Sequence, residues 1–260
     1  MRGDIKIKQT TAGCIVVVCK MKEQPRRDRG QGRAPKAKRS SPGQQRYNQV
    51  RRESALELLL AANFPTPGSA LVVTLTYDDR HMPKNLKEAQ KRLEYFREKI
   101  NRERKKAGLL PARMIWCTEV NSSASGRWHH HLAIEASGSD YDMIRRCWIY
   151  GADIECEKLR VDDEKNHETL ARYMSKEKRE AQDYNAKPGT QAWSCSRNCQ
   201  RPEVDVMAAE ADTKLRPPRG AKVLLHELKS TEFANYELYK WRLPFTAFKR
   251  APRAKRRRFL

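Results

Sequence analysis

The sequence predicts an α+β domain in which an antiparallel sheet is flanked by helices. Three observations lead there. Residues 70–77 (Ala-Leu-Val-Val-Thr-Leu-Thr-Tyr) and 114–120 (Met-Ile-Trp-Cys-Thr-Glu-Val) are short apolar runs rich in β-branched and aromatic residues, the composition of buried strands. Between them, Leu86, Ala89, Leu93, Phe96 and Ile100 recur at helical spacing, with Lys, Arg and Glu on the other faces. A Ser, Ala and Gly connection over 121–126 then turns the second run back into a third, Trp128 to Ile134, as a hairpin.

The remaining elements follow in order. Residues 1–47 are expected to be a basic, largely flexible arm. Its Ile15-Val16-Val17-Val18 run is suited to strand pairing, but residues 25–43 are rich in Arg, Lys, Gly and Pro and cannot bury a core alone. Residues 48–62 read as a helix carrying Val50, Leu56, Leu59 and Leu60, stopped by Pro65. The helix after the first strand ends near Gly108. Residues 140–150 form a helix with Tyr141, Ile144 and Trp148 on one side, followed by a strand over 152–161 and a helix from His167 onward. The folded domain is assigned to 48–202. Residues 203–260 are read as a C-terminal extension with a strand near 222–228, an aromatic segment over 232–241 expected to pack on the main domain, and an Arg/Lys-dense tail.

Composition bounds the partners. Lys and Arg number 54 against 32 Asp and Glu, a formal net charge of +22. Such an excess points to a polyanion. The seven cysteines are odd in number and irregularly spaced, which suits a reducing compartment. Cys195 and Cys199 are spaced for a zinc site, but no second pair with matching spacing faces them. The apolar run at 15–19 is far too short to span a membrane, and no signal peptide precedes it. An intracellular location and no membrane partner are expected.

Half of the chain's six histidines stand in one row, His129-His130-His131, at the start of the third strand. Side chains alternate along a strand, so His129 and His131 share a face and His130 takes the other. Two imidazoles two residues apart can grip one metal ion, and antiparallel pairing with the preceding strand would bring Glu119 beside them. On the later helix, Tyr173 and Lys176 are three residues apart and share a face. A phenol ionises near a pH of about 10 and is a weak nucleophile unless a cation favours its phenolate.

An apolar strand, then Glu with His-x-His, then Tyr-x-x-Lys on a helix is an ordered set of motifs. It resembles the HUH endonuclease superfamily, specifically the rolling-circle replication initiators of phages and plasmids, over roughly residues 48–202. The stretch at 193–198 (Trp-Ser-Cys-Ser-Arg-Asn) is similar to a post-catalytic segment of phage-type members. The resemblance implies a ferredoxin- or RRM-like antiparallel sheet flanked by helices. It implies that His129, His131 and Glu119 hold Mg²⁺ or Mn²⁺. It further implies that Tyr173 attacks the scissile phosphate, leaving a 5′-phosphotyrosine and a 3′-OH primer, with Lys176 orienting the phosphate or assisting the leaving group. The implied partners are single-stranded or hairpin DNA at an origin, together with a host helicase and polymerase, in the cytoplasm of a bacterial host. No GxxxxGK[ST] motif occurs that would let the chain separate strands itself.

The sequence departs from that pattern in two places. His130 replaces the hydrophobic residue between the paired histidines, which leaves a register with His130 as ligand open. Thr169 stands four residues before Tyr173, where some phage members carry a second tyrosine; Tyr184 lies eleven residues beyond. Trp116, Trp128, Tyr77 and Trp193 are candidates for base stacking, with core packing the stronger reading for Trp116. Two other function classes stay open: an HUH transposase or conjugative relaxase, and a basic nucleic-acid-binding protein without catalysis.

Overall fold

The computed structural model describes residues 5–22, 41–120, 126–138, 140–164, 166–175, 192–230 and 235–244. It is α+β, with two five-stranded antiparallel sheets and four α-helices among those residues. The chain divides into two compact units, Ser40–Gln200 and Met1–Arg39 with Arg201–Leu260.

In the unit Ser40–Gln200 the strands are β3 (Ala70–Thr76), β4 (Met114–Val120), β5 (Trp128–Glu135), β6 (Ile154–Lys158) and β7 (Ser194–Cys195). Their order is β6-β3-β5-β4-β7, so β5 occupies the centre and pairs with β3 and β4 on either side. Helices α1 (Pro42–Asn63) and α4 (Glu168–Ser175) cover one face; α2 (Leu86–Lys106) and α3 (Asp140–Cys147) cover the other. The α2 side is the larger core: Leu93, Phe96 and Ile100 meet Val73, Leu75, Leu132 and Ile134, joined by Met143 and Trp148. Across the sheet, Leu56, Leu59, Leu60 and Phe64 of α1 and Met174 of α4 pack on Ala70, Ile115 and Ala133.

Local chemistry explains where the helices start and stop. Ser41 caps α1, its hydroxyl accepting from the Gln44 N–H at 3.3 Å, with Pro42 in the first turn where a missing N–H does no harm. That start lies earlier than the expected residue 48, because Ser-Pro supplies an N-terminus that the polar first turns hide from a hydrophobic-period reading. Asn85 caps α2 by accepting from the Glu88 N–H at 3.0 Å. Arg104, Lys105 and Lys106 lie in the last turn, where the helix dipole favours cations, and Gly108 follows at φ +73°.

The second unit corrects the expected domain boundaries. Residues 5–22 are not a flexible arm but a hairpin, β1 (Ile5–Ala12) with β2 (Ile15–Lys22). It pairs with β8 (Glu203–Ala209) and β10 (Asn235–Arg242), and β10 with β9 (Lys222–Ser230), in the order β8-β1-β2-β10-β9. The two ends of the chain therefore build one sheet, and the aromatic segment at 235–242 is one of its strands. Ile7, Val16, Val18 and Trp241 form a core on one face. An isolated hairpin leaves two open edges and little buried surface; only distant strands make it stable, and local composition does not reveal such pairing.

Close backbone approach constrains the end of β3. The Asp78 N–H donates to the Tyr150 carbonyl at 3.0 Å, and the Trp148 indole N–H donates to the Thr76 carbonyl at 2.8 Å. A Cβ at Gly151 would collide with the Thr76 carbonyl oxygen and lie 3.1 Å from the Asp78 nitrogen. Gly151→Ala is therefore expected to destabilise the protein by about 1–3 kcal/mol through forced backbone displacement. A chemical-denaturation midpoint unchanged from the parent would refute that close approach.

Candidate functional site

The strand register decides which histidine does what. Glu119 is the direct partner of His129 across the β4–β5 ladder, and Cys117 the partner of His131. On the other side of β5, Thr74 pairs with His131 and Thr76 with His129. All these side chains share the sheet face that α1 and α4 cover. His130 takes the opposite face and is fully buried.

His130 belongs to the core. Its Nε2 lies 2.6 Å from the Tyr77 hydroxyl and its Nδ1 2.9 Å from the Thr118 hydroxyl. Its ring also meets the edges of Tyr77 and Trp148. Both ring nitrogens are thus used on the core side. Burial, helped by the neighbouring His131 and His129, holds the imidazole down to about 3 from its ordinary 6.5, so it is neutral near pH 7.

On the other face, His131 Nε2 lies 2.7 Å from Glu119 Oε2, with both side chains nearly buried. Its Nδ1 lies 3.2 Å from the Thr74 hydroxyl and 3.3 Å from the Tyr173 hydroxyl. The Tyr173 ring stands edge-on to the His131 ring with centroids 4.8 Å apart. Tyr173 is nonetheless 46% exposed, so its hydroxyl meets the sheet while its ring remains open to a ligand. Burial first, and then the Glu119 carboxylate, raise its phenol above the ordinary value of 10, against a lowering hydrogen bond from Thr74. His129 is half-buried; desolvation, followed by the nearby His131 and Arg127, keeps its imidazole below the ordinary range. It is neutral at pH 7, the form in which histidine ligates a metal.

Helix α4 is held at both ends. At its start, His167 Nε2 donates to the Phe64 carbonyl at 2.8 Å, at the end of α1, while Nδ1 accepts from the Asn166 amide at 2.6 Å. At its end, the Gln49 amide of α1 donates to the Ser175 carbonyl at 3.3 Å. Together these contacts fix the angle from which Tyr173 reaches β5.

Four of the five predicted site residues, Glu119, His129, His131 and Tyr173, come to one sheet face. Lys176 lies outside the described residues, as does Tyr184. Among the described residues no three His, Cys, Asp or Glu side chains are gathered closely enough to hold a metal ion as they stand. Glu119 and His131 converge, while Glu119 turns away from its register partner His129. The same finding leaves Cys195 and Cys199 without the further ligands of a structural zinc among the described residues; none of the seven cysteines forms a disulfide.

The stacking candidates sort by burial. Tyr77 is 2% exposed and its hydroxyl is engaged with His130, which removes it as a base platform. Trp116 packs against the α2 core, with the Arg97 guanidinium 3.9 Å above its ring. Trp128 and Trp193 are partly buried against the two cores. Sequence reading missed Thr74, Cys117 and His167. Cys117 is 3% exposed, with its thiol 3.7 Å from Glu119 Oε1. Their only signal was parity: Thr74 and Cys117 fall on the same face as His131 once the register is known.

The placement of His130 makes stability depend on pH. Its folded-state value lies below the unfolded one, so between about 6.5 and 3 the unfolded chain binds the extra proton. Its contribution is complete above pH 6.5 and is lost as pH falls, at most about 1.4 kcal/mol per pH unit. His130→Gln is expected to flatten the decline in melting temperature between pH 6.5 and 4, although the variant starts from lower stability. Parallel pH profiles for the two proteins would contradict a neutral, buried His130.

A family model described as a replication-associated protein of the ORF2 type matches residues 70–178. No curated protein and no solved structure matches the chain. Among the described residues no helix is long and apolar enough to cross a membrane. The matched span runs from the first residue of β3 to just past α4 and contains Glu119, His129, His131 and Tyr173. That match supports a replication initiator family for this chain, and the HUH replication-initiator type is consistent with it.

Proposed function

We propose that the protein nicks and rejoins single-stranded DNA at a replication origin through a 5′-phosphotyrosine formed on Tyr173. The observation that carries this reading is the Tyr173 hydroxyl, 3.3 Å from His131 Nδ1 on a half-exposed side chain, beside a His131–Glu119 pair. A core tyrosine would have its hydroxyl satisfied inside the protein and no open flank.

Chemically, the phenol oxygen bonds to phosphorus as the bond from phosphorus to the 3′ oxygen breaks. The phenol loses its proton and the 3′ oxygen gains one. The bond energy is kept in the phosphotyrosine, so a later 3′-OH can reverse the step and rejoin the strand. Thr74 and His131 orient the phenol by their hydrogen bonds. His131 also accepts the phenol's proton when Nε2–H is donated to Glu119, since Nδ1 then carries a lone pair.

Glu119, His131 and His129 are the residues that would hold Mg²⁺ or Mn²⁺. The donor set is apt: two imidazoles and one carboxylate, with His129 kept neutral. Directly opposed residues in an antiparallel pair have Cβ atoms about 5 Å apart, so Glu119 reaches His129 as well as His131 through its own rotamers. A bound divalent ion supplies charge stabilisation at the non-bridging phosphate oxygens and offsets the Glu119 charge that keeps the phenol protonated. The proposed substrate is single-stranded or hairpin origin DNA, attracted by a +22 chain. A separate helicase and polymerase are the proposed partners, and the bacterial cytoplasm the proposed location.

Incubated with Mn²⁺ and an origin oligonucleotide, the parent protein is expected to form a covalent adduct that survives denaturing electrophoresis. Tyr173→Phe should retain binding and lose the adduct; an undiminished adduct in that variant moves the nucleophile elsewhere. His131→Ala and His129→Ala are each expected to lower metal-dependent cleavage by about 100-fold or more. Cleavage equally fast in the presence of a chelator would favour the Glu119–His131–Tyr173 proton relay acting without a metal.

A further inference from the structure

The sheet formed by β8, β1, β2, β10 and β9 has a core on one face, built on Ile7, Val16, Val18 and Trp241. Among the described residues of this unit, nothing covers its other face. The register sets three adjoining rows across that face. Val206, Lys8, Cys19, Leu238 and Glu227 make one, and Ala208, Lys6, Met21, Tyr236 and Lys229 the next. Val204, Thr10, Val17, Lys240 and Leu225 make the third. Every one of these side chains is at least partly exposed, and Val204 and Val206 are more than half exposed on the edge strand.

Two properties choose the occupant. The first is charge: Lys6, Lys8, Lys229 and Lys240 are opposed on these rows by Glu227 alone. A second copy of the same face would meet like charge, which disfavours self-pairing. The second is the surface between the lysines, which is flat, apolar and carries an aromatic ring. Tyr236 projects from β10 with the Lys229 ammonium 5.9 Å from its ring centre. Lysines spaced along a sheet with an aromatic and apolar floor match a strand whose backbone is anionic and whose bases are unpaired.

We propose that this open sheet face binds single-stranded nucleic acid, as a surface distinct from the Tyr173 site. The lysines take the phosphates, and Tyr236 with Met21 and Leu238 receives the bases. The inference does not require that Tyr173 be a nucleophile.

The test is anisotropy of the full-length protein with a fluorescein-labelled, unstructured oligonucleotide across a salt series. Lys8→Glu with Lys229→Glu is expected to weaken binding about tenfold or more and to reduce the salt slope by about 1.4, the value for two single-strand phosphate contacts. A charge-matched control, Lys87→Glu with Lys91→Glu on exposed positions of α2, should lose distinctly less. Tyr236→Ala should weaken binding roughly fivefold or more with the salt slope unchanged, the mark of a stacking contact. Equal losses in the face and control variants would overturn the proposal, reducing the effect to net charge. So would parent-like binding in the face variants, or a protein dimer that Val206→Asp dissociates while oligonucleotide binding persists. Adduct formation by Tyr173 is a separate readout, so either idea can fail without the other.

Discussion

Period-two alternation along β5 is the constraint on which the rest of this site depends. One strand buries His130 in a core with Tyr77 and Trp148 and turns His129 and His131 to the opposite face. The buried residue makes the exposed pair dependable. Its ring is held by two hydroxyls, from β4 and from the residue just past β3, so the strand cannot slip by one residue without expelling it. A hydrophobic residue there would pack; a doubly hydrogen-bonded histidine also sets register, since each buried polar atom tolerates few arrangements.

Electrostatics on the outer face follow from the same geometry. Glu119, drawn to His131 by neighbouring strands, places a carboxylate near a phenol projecting from another element. That carboxylate opposes ionisation of Tyr173, so the site as it stands holds the phenol protonated. A cation at Glu119 reverses the sign of that effect. The arrangement is therefore responsive to a divalent ion in a way that an isolated surface tyrosine is not.

Much of the site unit could be read along the chain. Strands β3, β4 and β5 fall where apolar runs predicted them, and α2 follows its stripe from Leu86, because these segments bury one face or both against a nearby core. Face-sharing of His129 and His131 needs only backbone geometry. The start of α1 at Pro42, the hairpin at 5–22 and strand β8 were not legible. Val204 and Val206 in β8 point to the open face, so its alternation of charged and apolar residues does not report a core. The hairpin's partners lie nearly two hundred residues away, and no local pattern encodes a pairing that distant.

Sequence alone determined the parity of the histidine row, the helical face of Tyr173 and an excess of positive charge, because each is a property of composition or of a backbone repeat. Tertiary structure alone decided that α4 lies over the β5 face carrying His131, that Thr74 and Cys117 join that face, and that the chain's two ends share one sheet. Those facts depend on which distant segments meet. They are set by burial of apolar surface summed over elements far apart in the chain, and no window of the sequence contains that sum.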